Sequence, residues 1–269
     1  MKEYSVPVNG IEYACVEAGE GPLLLLGHGT FGGKALMVPQ VEVLSRSFRC
    51  VAFDWPGHGR SGYRPGGWTA DELGEDVVAL IGALGEERAM LACVSQGGAI
   101  AMRVAIAHPD RVIALCNICG GPGGPSPPVI EKLYAFAAMI ASEPDETVRR
   151  GALAEFARAH LHSPGFDRRE PERFEAELDV MLSHPKESVG LLFCVPKSYV
   201  DITADLGKIS CPTLIIWGEN EGRPQMGAQL AVVIPDARLV MIENAGHHAN
   251  VEAPKEIAAA MEAFFSAAI

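Results

Sequence analysis

Apolar runs long enough to cross a bilayer are missing from this chain, and its first residues, Met1-Lys2-Glu3-Tyr4-Ser5, are polar and lead straight into a strand. Neither a secretory leader nor a transmembrane segment is expected, because both need an uninterrupted hydrophobic stretch. Positive charge is scarce as well: 22 Lys and Arg stand against 34 Asp and Glu, for a net charge of −12. Such a surface repels phosphate backbones and anionic headgroups, which disfavours nucleic acid and membrane as partners and favours a small molecule. An even cysteine set is lacking too. There are seven cysteines, and Cys50, Cys93 and Cys116 fall inside apolar strands, as free thiols in a reducing compartment do. The expectation is a cytoplasmic protein without disulfides, with a homodimer left open.

What is present is a chain of 269 residues, 48% hydrophobic, enough for one large domain with an insertion. Strand and helix patterns alternate along it. Ile11 to Glu17, Pro22 to Gly27, Arg49 to Asp54 and Arg111 to Cys119 read as strands. Thr69 to Leu84 reads as an amphipathic helix with a Thr cap and acidic first turn, and Pro254 to Phe265 as the last helix. This alternation predicts an α/β fold with a doubly wound, mostly parallel sheet whose ligands sit beyond the strand C-termini.

The apolar run Arg88 to Ala92 ends in Cys93-Val94-Ser95-Gln96-Gly97-Gly98 and opens into an alanine-rich helix. A bend this tight needs small neighbours and pushes the serine hydroxyl out of the backbone, while the helix start at Gln96 aims an unpaired N–H beside it. Ser95 is therefore a candidate nucleophile. Its base is expected at His247, in the loop leaving the strand Ala237 to Ile242. The strand Pro212 to Trp217 empties into a loop with two carboxylates; Glu221 is the expected acid, and Glu219 is close enough to compete.

Ser95, Glu221 and His247 occur in the order nucleophile, acid, base. Together with Leu23 to Thr30, Phe53-Asp54-Trp55-Pro56-Gly57-His58-Gly59-Arg60-Ser61, Trp217 to Glu221 and Ala245-Gly246-His247, they make the chain resemble the α/β-hydrolase superfamily over nearly its whole length. The resemblance implies a second oxyanion donor at Thr30 beside that of Gln96, and chemistry needing neither metal nor cofactor. The chain departs from the family pattern at Cys93, where glycine is usual, and at Glu221, where aspartate is usual.

Between Gly120 and Asp205 no strand pattern occurs. The Gly/Pro stretch Gly120 to Pro128 is followed by helical patterns at Val129 to Ser142, Asp145 to Leu161, Pro171 to Ser183 and Lys186 to Tyr199. This predicts a core of residues 1–120 and 206–269 with a helical cap at 121–205. Tyr134, Phe136, Met139, Phe156, Phe193 and Tyr199 are its candidate substrate-binding residues, with packing between cap helices as the competing role.

The resulting expectation is a serine hydrolase that cleaves an ester or lactone of a small, largely apolar substrate through an acyl-enzyme. Ala249 to Pro254 is similar to the tail of enol-lactonases. C–C bond hydrolases of ring-cleavage products share the same triad and cap, and a non-catalytic binding protein of this shape is the reading from another class. A serine at position 95 argues against dehalogenases, which need a carboxylate there. Cys116-Asn117-Ile118-Cys119 is not expected to bind metal, since residues three apart on a strand face opposite ways. His247-His248 is not either, because adjacent loop side chains diverge. His28 and His58 read as structural histidines in glycine-rich turns.

Overall fold

The computed structural model describes residues 1–269. Eight strands form one sheet: β1 (Lys2–Val8), β2 (Ile11–Ala18), β3 (Leu23–Gly27), β4 (Arg49–Phe53), β5 (Ala89–Val94), β6 (Val112–Ile118), β7 (Thr213–Gly218) and β8 (Ala237–Ile242). Their order is β1-β2-β4-β3-β5-β6-β7-β8, antiparallel at the β1–β2 and β2–β4 pairs and parallel elsewhere. The central strands β3 and β5 are apolar throughout and buried at every position, as parallel strands covered on both faces must be. Edge strand β1 alternates instead, burying only Val6 and Val8.

Helices α1 (Val38–Leu44), α2 (Ala70–Ala83), α3 (Gln96–Ala107), then α4 (Pro127–Ser142), α5 (Glu146–His160), α6 (Phe166–Arg169), α7 (Pro171–Leu182), α8 (Lys186–Val189) and α9 (Cys194–Ser198) follow in chain order. After these come α10 (Gln225–Val233), α11 (Ala249–Glu252) and α12 (Pro254–Ser266). Thr69 caps α2 as expected: its hydroxyl accepts from Glu72 N while the Glu72 carboxylate accepts from Thr69 N. None of the helices is long and apolar enough to cross a membrane.

Chain order reverses beside β3, so the loops after β3 and β5 open side by side at the C-terminal rim, where doubly wound sheets bind ligands. The segment α4–α9 carries its own apolar cluster, in which Ile140, Leu153, Phe174, Leu178 and Leu192 are joined by Phe31 from the loop after β3. That shared phenylalanine ties the segment to the rim. The single helix expected over Lys186 to Tyr199 is instead two short ones, α8 and α9, separated by a turn that starts at Gly190. Glycine gives up more backbone freedom in a helix than any other residue, and the chain breaks there. A one-turn helix not anticipated from the pattern, α6, begins after Gly165, whose φ of +78° only glycine adopts without strain.

Candidate active site

Ser95 joins β5 to α3 with φ 52° and ψ −112°, a left-handed conformation that strains a residue with a side chain. The surrounding packing imposes it. A Cβ at Gly97 would lie 2.9 Å from the His28 carbonyl oxygen, and one at Gly98 would lie 2.0 Å from Asn117 Oδ1. Both glycines are therefore required by close approach. Cys93 fits because its in-register partner across the sheet is Gly27, where a Cβ would meet Cys93 Sγ at 3.0 Å. Burial pushes the Cys93 thiol up to about 12, and it packs inside the sheet away from the cavity.

At the rim, the Ser95 hydroxyl donates to His247 Nε2 at 2.7 Å, and His247 Nδ1 faces Glu221 Oε1 at 3.3 Å. The other Glu221 oxygen accepts from Arg223 N at 2.5 Å and from Trp217 Nε1 at 3.2 Å. Glu219 sits two residues away on the exposed side of the loop, where it accepts from Asn244 N at 3.0 Å and does not reach the imidazole. Burial lowers the pKa of His247 below its ordinary 6.5, against the opposing pull of Glu221, so the ring is a free base at neutral pH. Burial works against the Glu221 charge, but the bonds from His247 and from Arg223 N outweigh it and hold the carboxyl below its ordinary range. Thr30 and Gln96 face each other across the loops after β3 and β5, with the Thr30 hydroxyl donating to Gln96 Oε1 at 2.8 Å.

A cavity of about 590 Å³ opens over Ser95. Its walls include Thr30, Phe31, Gln96, Leu133, Phe156, Phe193, Tyr199, Glu221, His247 and His248, with Lys132, His160 and Arg223 among its other polar side chains. Of the six aromatic and methionine side chains expected to bind substrate, Phe156, Phe193 and Tyr199 line it and the other three do not. Helix α4 turns Val129, Lys132 and Leu133 inward, at helical spacing, and this leaves Tyr134, Phe136 and Met139 off the wall. Phe136 stacks behind Phe156 with centroids 4.8 Å apart, Tyr134 lies under Lys197, and Met139 is exposed.

His28 is structural: Nδ1–H donates to the Gly29 carbonyl at 2.7 Å, Nε2 accepts from Trp55 N at 3.0 Å, and burial pushes its pKa down to about 3. His58 is enclosed beside it and donates from Nδ1 to the Pro56 carbonyl at 3.1 Å. The expectation that His247 and His248 diverge is wrong. Their rings are inclined by only 25° with centroids 5.7 Å apart, because Glu177 of α7 draws His248 Nδ1 to 2.5 Å. The doublet was visible in the sequence, but nothing there connected it to Glu177 or to His162, which also contacts that carboxylate. Arg223 follows Glu221 by two residues, but its part in the site is played by its backbone N–H, which donates to that carboxylate and leaves no mark in the sequence.

Residues 23–260 match the sequence profile of the alpha/beta hydrolase family. The fold superposes on a thermophilic esterase from Thermogutta terrifontis with a TM-score of 0.90 and 26% identity, covering 100% of this chain and 99% of that one. It superposes on an enol-lactonase from Burkholderia xenovorans LB400 with a TM-score of 0.86 and 26% identity, covering 98% and 100%. A relative in Cupriavidus pinatubonensis JMP 134, named 2-hydroxy-6-oxononadienedioate/2-hydroxy-6-oxononatrienedioate hydrolase, is 30% identical over 254 residues, which is 90% of this chain and 86% of its own.

Proposed function

Since this chain belongs to the alpha/beta hydrolase family, we propose that it hydrolyses a carboxylic ester or lactone of a small, largely apolar molecule through an acyl-enzyme. The observation that carries this reading is the unbroken line from Ser95 Oγ to His247 Nε2 at 2.7 Å and from His247 Nδ1 to Glu221 at 3.3 Å. Apo triads of this kind tighten when substrate binds. Ser95 attacks the carbonyl carbon and His247 takes its proton, while Glu221 holds the Nδ1–H tautomer and stabilises the imidazolium. The N–H groups of Thr30 and Gln96 receive the oxyanion. His247 then gives its proton to the leaving alkoxide, and water activated by the same ring releases the acid. For a lactone the alkoxide stays attached, so a single hydroxy acid leaves.

Helices α4–α9 act as the cap, with Phe156, Phe193 and Tyr199 shaping an apolar wall that excludes water. The esterase and enol-lactonase likenesses support this substrate class. Seven free thiols, six of them buried, fit a reducing, cytoplasmic compartment.

A second reading, cleavage of a C–C bond in a vinylogous diketone, is supported by the Cupriavidus relative. A fluorophosphonate probe and a substrate panel test both. Stoichiometric labelling lost in Ser95→Ala, with turnover of short p-nitrophenyl esters or lactones, supports the first reading. Turnover confined to diketones supports the second. Absence of labelling on the folded protein would reduce it to a binding protein.

A further inference from the structure

Two carboxylates and two imidazoles are buried together where the cap meets the His247 loop, and the acyl chemistry proposed above uses none of them. Glu177 is fully enclosed, with Oε1 at 2.5 Å from His248 Nδ1 and Oε2 at 2.6 Å from His162 Nε2. His162 Nδ1 lies 3.4 Å from Glu252, whose carboxylate also accepts from Gly246 N at 2.8 Å and Ser163 N at 3.0 Å. Burial works against the Glu177 charge, but the two imidazoles outweigh it and hold its pKa at about 2. Enclosing charge is costly, and an apolar joint of the same volume would hold cap to core as well or better. Buried charge that collects beside a nucleophile is a mark of function.

His248 faces two ways. Nδ1 belongs to Glu177, and its backbone N–H donates to the Leu161 carbonyl at 2.8 Å, so contacts from the cap set the ring's orientation. Nε2 lies at the Gly29 corner of the cavity: a Cβ placed on Gly29 would be 3.5 Å from His248 Nε2 and 3.1 Å from Ser95 Cβ. Gly29 immediately precedes Thr30, and His248 lines the same cavity as Ser95, Thr30 and Gln96.

We propose that His248 is a further catalytic residue, whose Nε2–H donates to the substrate oxygen that becomes negative when Ser95 attacks. Glu177 is its positioning residue, holding Nδ1 and so fixing the plane of the ring, so the donor is complete only with the cap seated. The proposal rests on the acyl-transfer reading and adds a side-chain donor to the two backbone ones.

The test traps Ser95 with a small phosphonate and solves the structure of the adduct. His248 Nε2 is expected within about 3.2 Å of the phosphonyl oxygen held by the Thr30 and Gln96 amides. An adduct whose oxygen the ring does not approach overturns this proposal alone; a folded protein that forms no adduct overturns the acyl-transfer reading and this proposal with it. In kinetics, His248→Phe is expected to lower kcat for a p-nitrophenyl ester about 100-fold with KM nearly unchanged, the scale for losing one oxyanion donor. His248→Gln, which keeps an N–H donor, recovers part of that loss, and Glu177→Gln falls between wild type and His248→Phe. A kcat for folded His248→Phe within about twofold of wild type overturns the proposal.

Discussion

Replacing Glu221 by glutamine tests the proposed triad more sharply than deletion does, because the surrounding donors dictate how the new amide must sit. Glu221 Oε2 accepts from both Arg223 N and Trp217 Nε1, so the glutamine carbonyl must occupy that position. Its NH₂ then faces His247 Nδ1, which has to become an acceptor. The ring is driven to the tautomer with hydrogen on Nε2, pointing at Ser95 Oγ, where it cannot take a proton. A wrong-tautomer triad loses about 10⁴ in kcat, or roughly 5.4 kcal/mol of barrier at 1.36 kcal/mol per tenfold. Glu219→Gln gives up only the charge of an exposed loop contact to Asn244 N, which its carbonyl can still accept, so its effect is expected to be about twofold or less. Initial rates on a p-nitrophenyl ester, with melting temperatures as the folding control, decide the matter. If Glu221→Gln stays within about tenfold of wild type, or Glu219→Gln is the more damaging change, the assignment of the acid is refuted.

Ser95→Ala and His247→Ala are each expected to lower kcat by about 10⁶ with the fold intact, and to be no worse in combination; an additive double mutant would show that the two do not act as a unit. The acid limb of kcat/KM should fall below pH 6.5, since burial lowers the His247 pKa, and it should move lower still in Glu221→Gln because that carboxylate raises it; a pH–rate profile with a limb above 6.5 would contradict the burial argument. His162 has its folded pKa raised to about 9, burial being outweighed by Glu177 and Glu252, so its contribution to stability is complete below pH 6.5 and disappears as pH rises through 9. The melting-temperature gap between wild type and His162→Gln should close across that range, and a constant gap would refute the linkage. Gly98→Ala should destabilise by about 1–3 kcal/mol in urea titration, because Asn117, bonded to Gly120 at both ends of its amide, has no room to yield to the new methyl; an unchanged midpoint would refute it.

Much of the rim around Ser95 was legible because its signals are local. Ser95 is marked by small residues within three positions on one side, and the positive φ they permit follows from chain neighbours and adjacent strands. The acid was half legible: two carboxylates in one loop can be counted from sequence, but which one turns inward depends on Trp217 Nε1 and Arg223 N, fixed only when β7 is buried. Residues 121–205 were read as helices, yet the cavity wall was misjudged at Tyr134, Phe136 and Met139. Helical periodicity says that one stripe is apolar, not whether that stripe meets a cavity or another helix.

By itself, then, the order of residues determined the alternating α/β architecture and the strained serine turn, since each follows from periodicity or from neighbours a few positions apart. Tertiary packing decided which carboxylate serves His247, which face of α4 lines the cavity, and that Glu177 would lie against a histidine 71 residues further along. Contacts at such separations depend on how whole elements dock, and no local pattern in the chain encodes that.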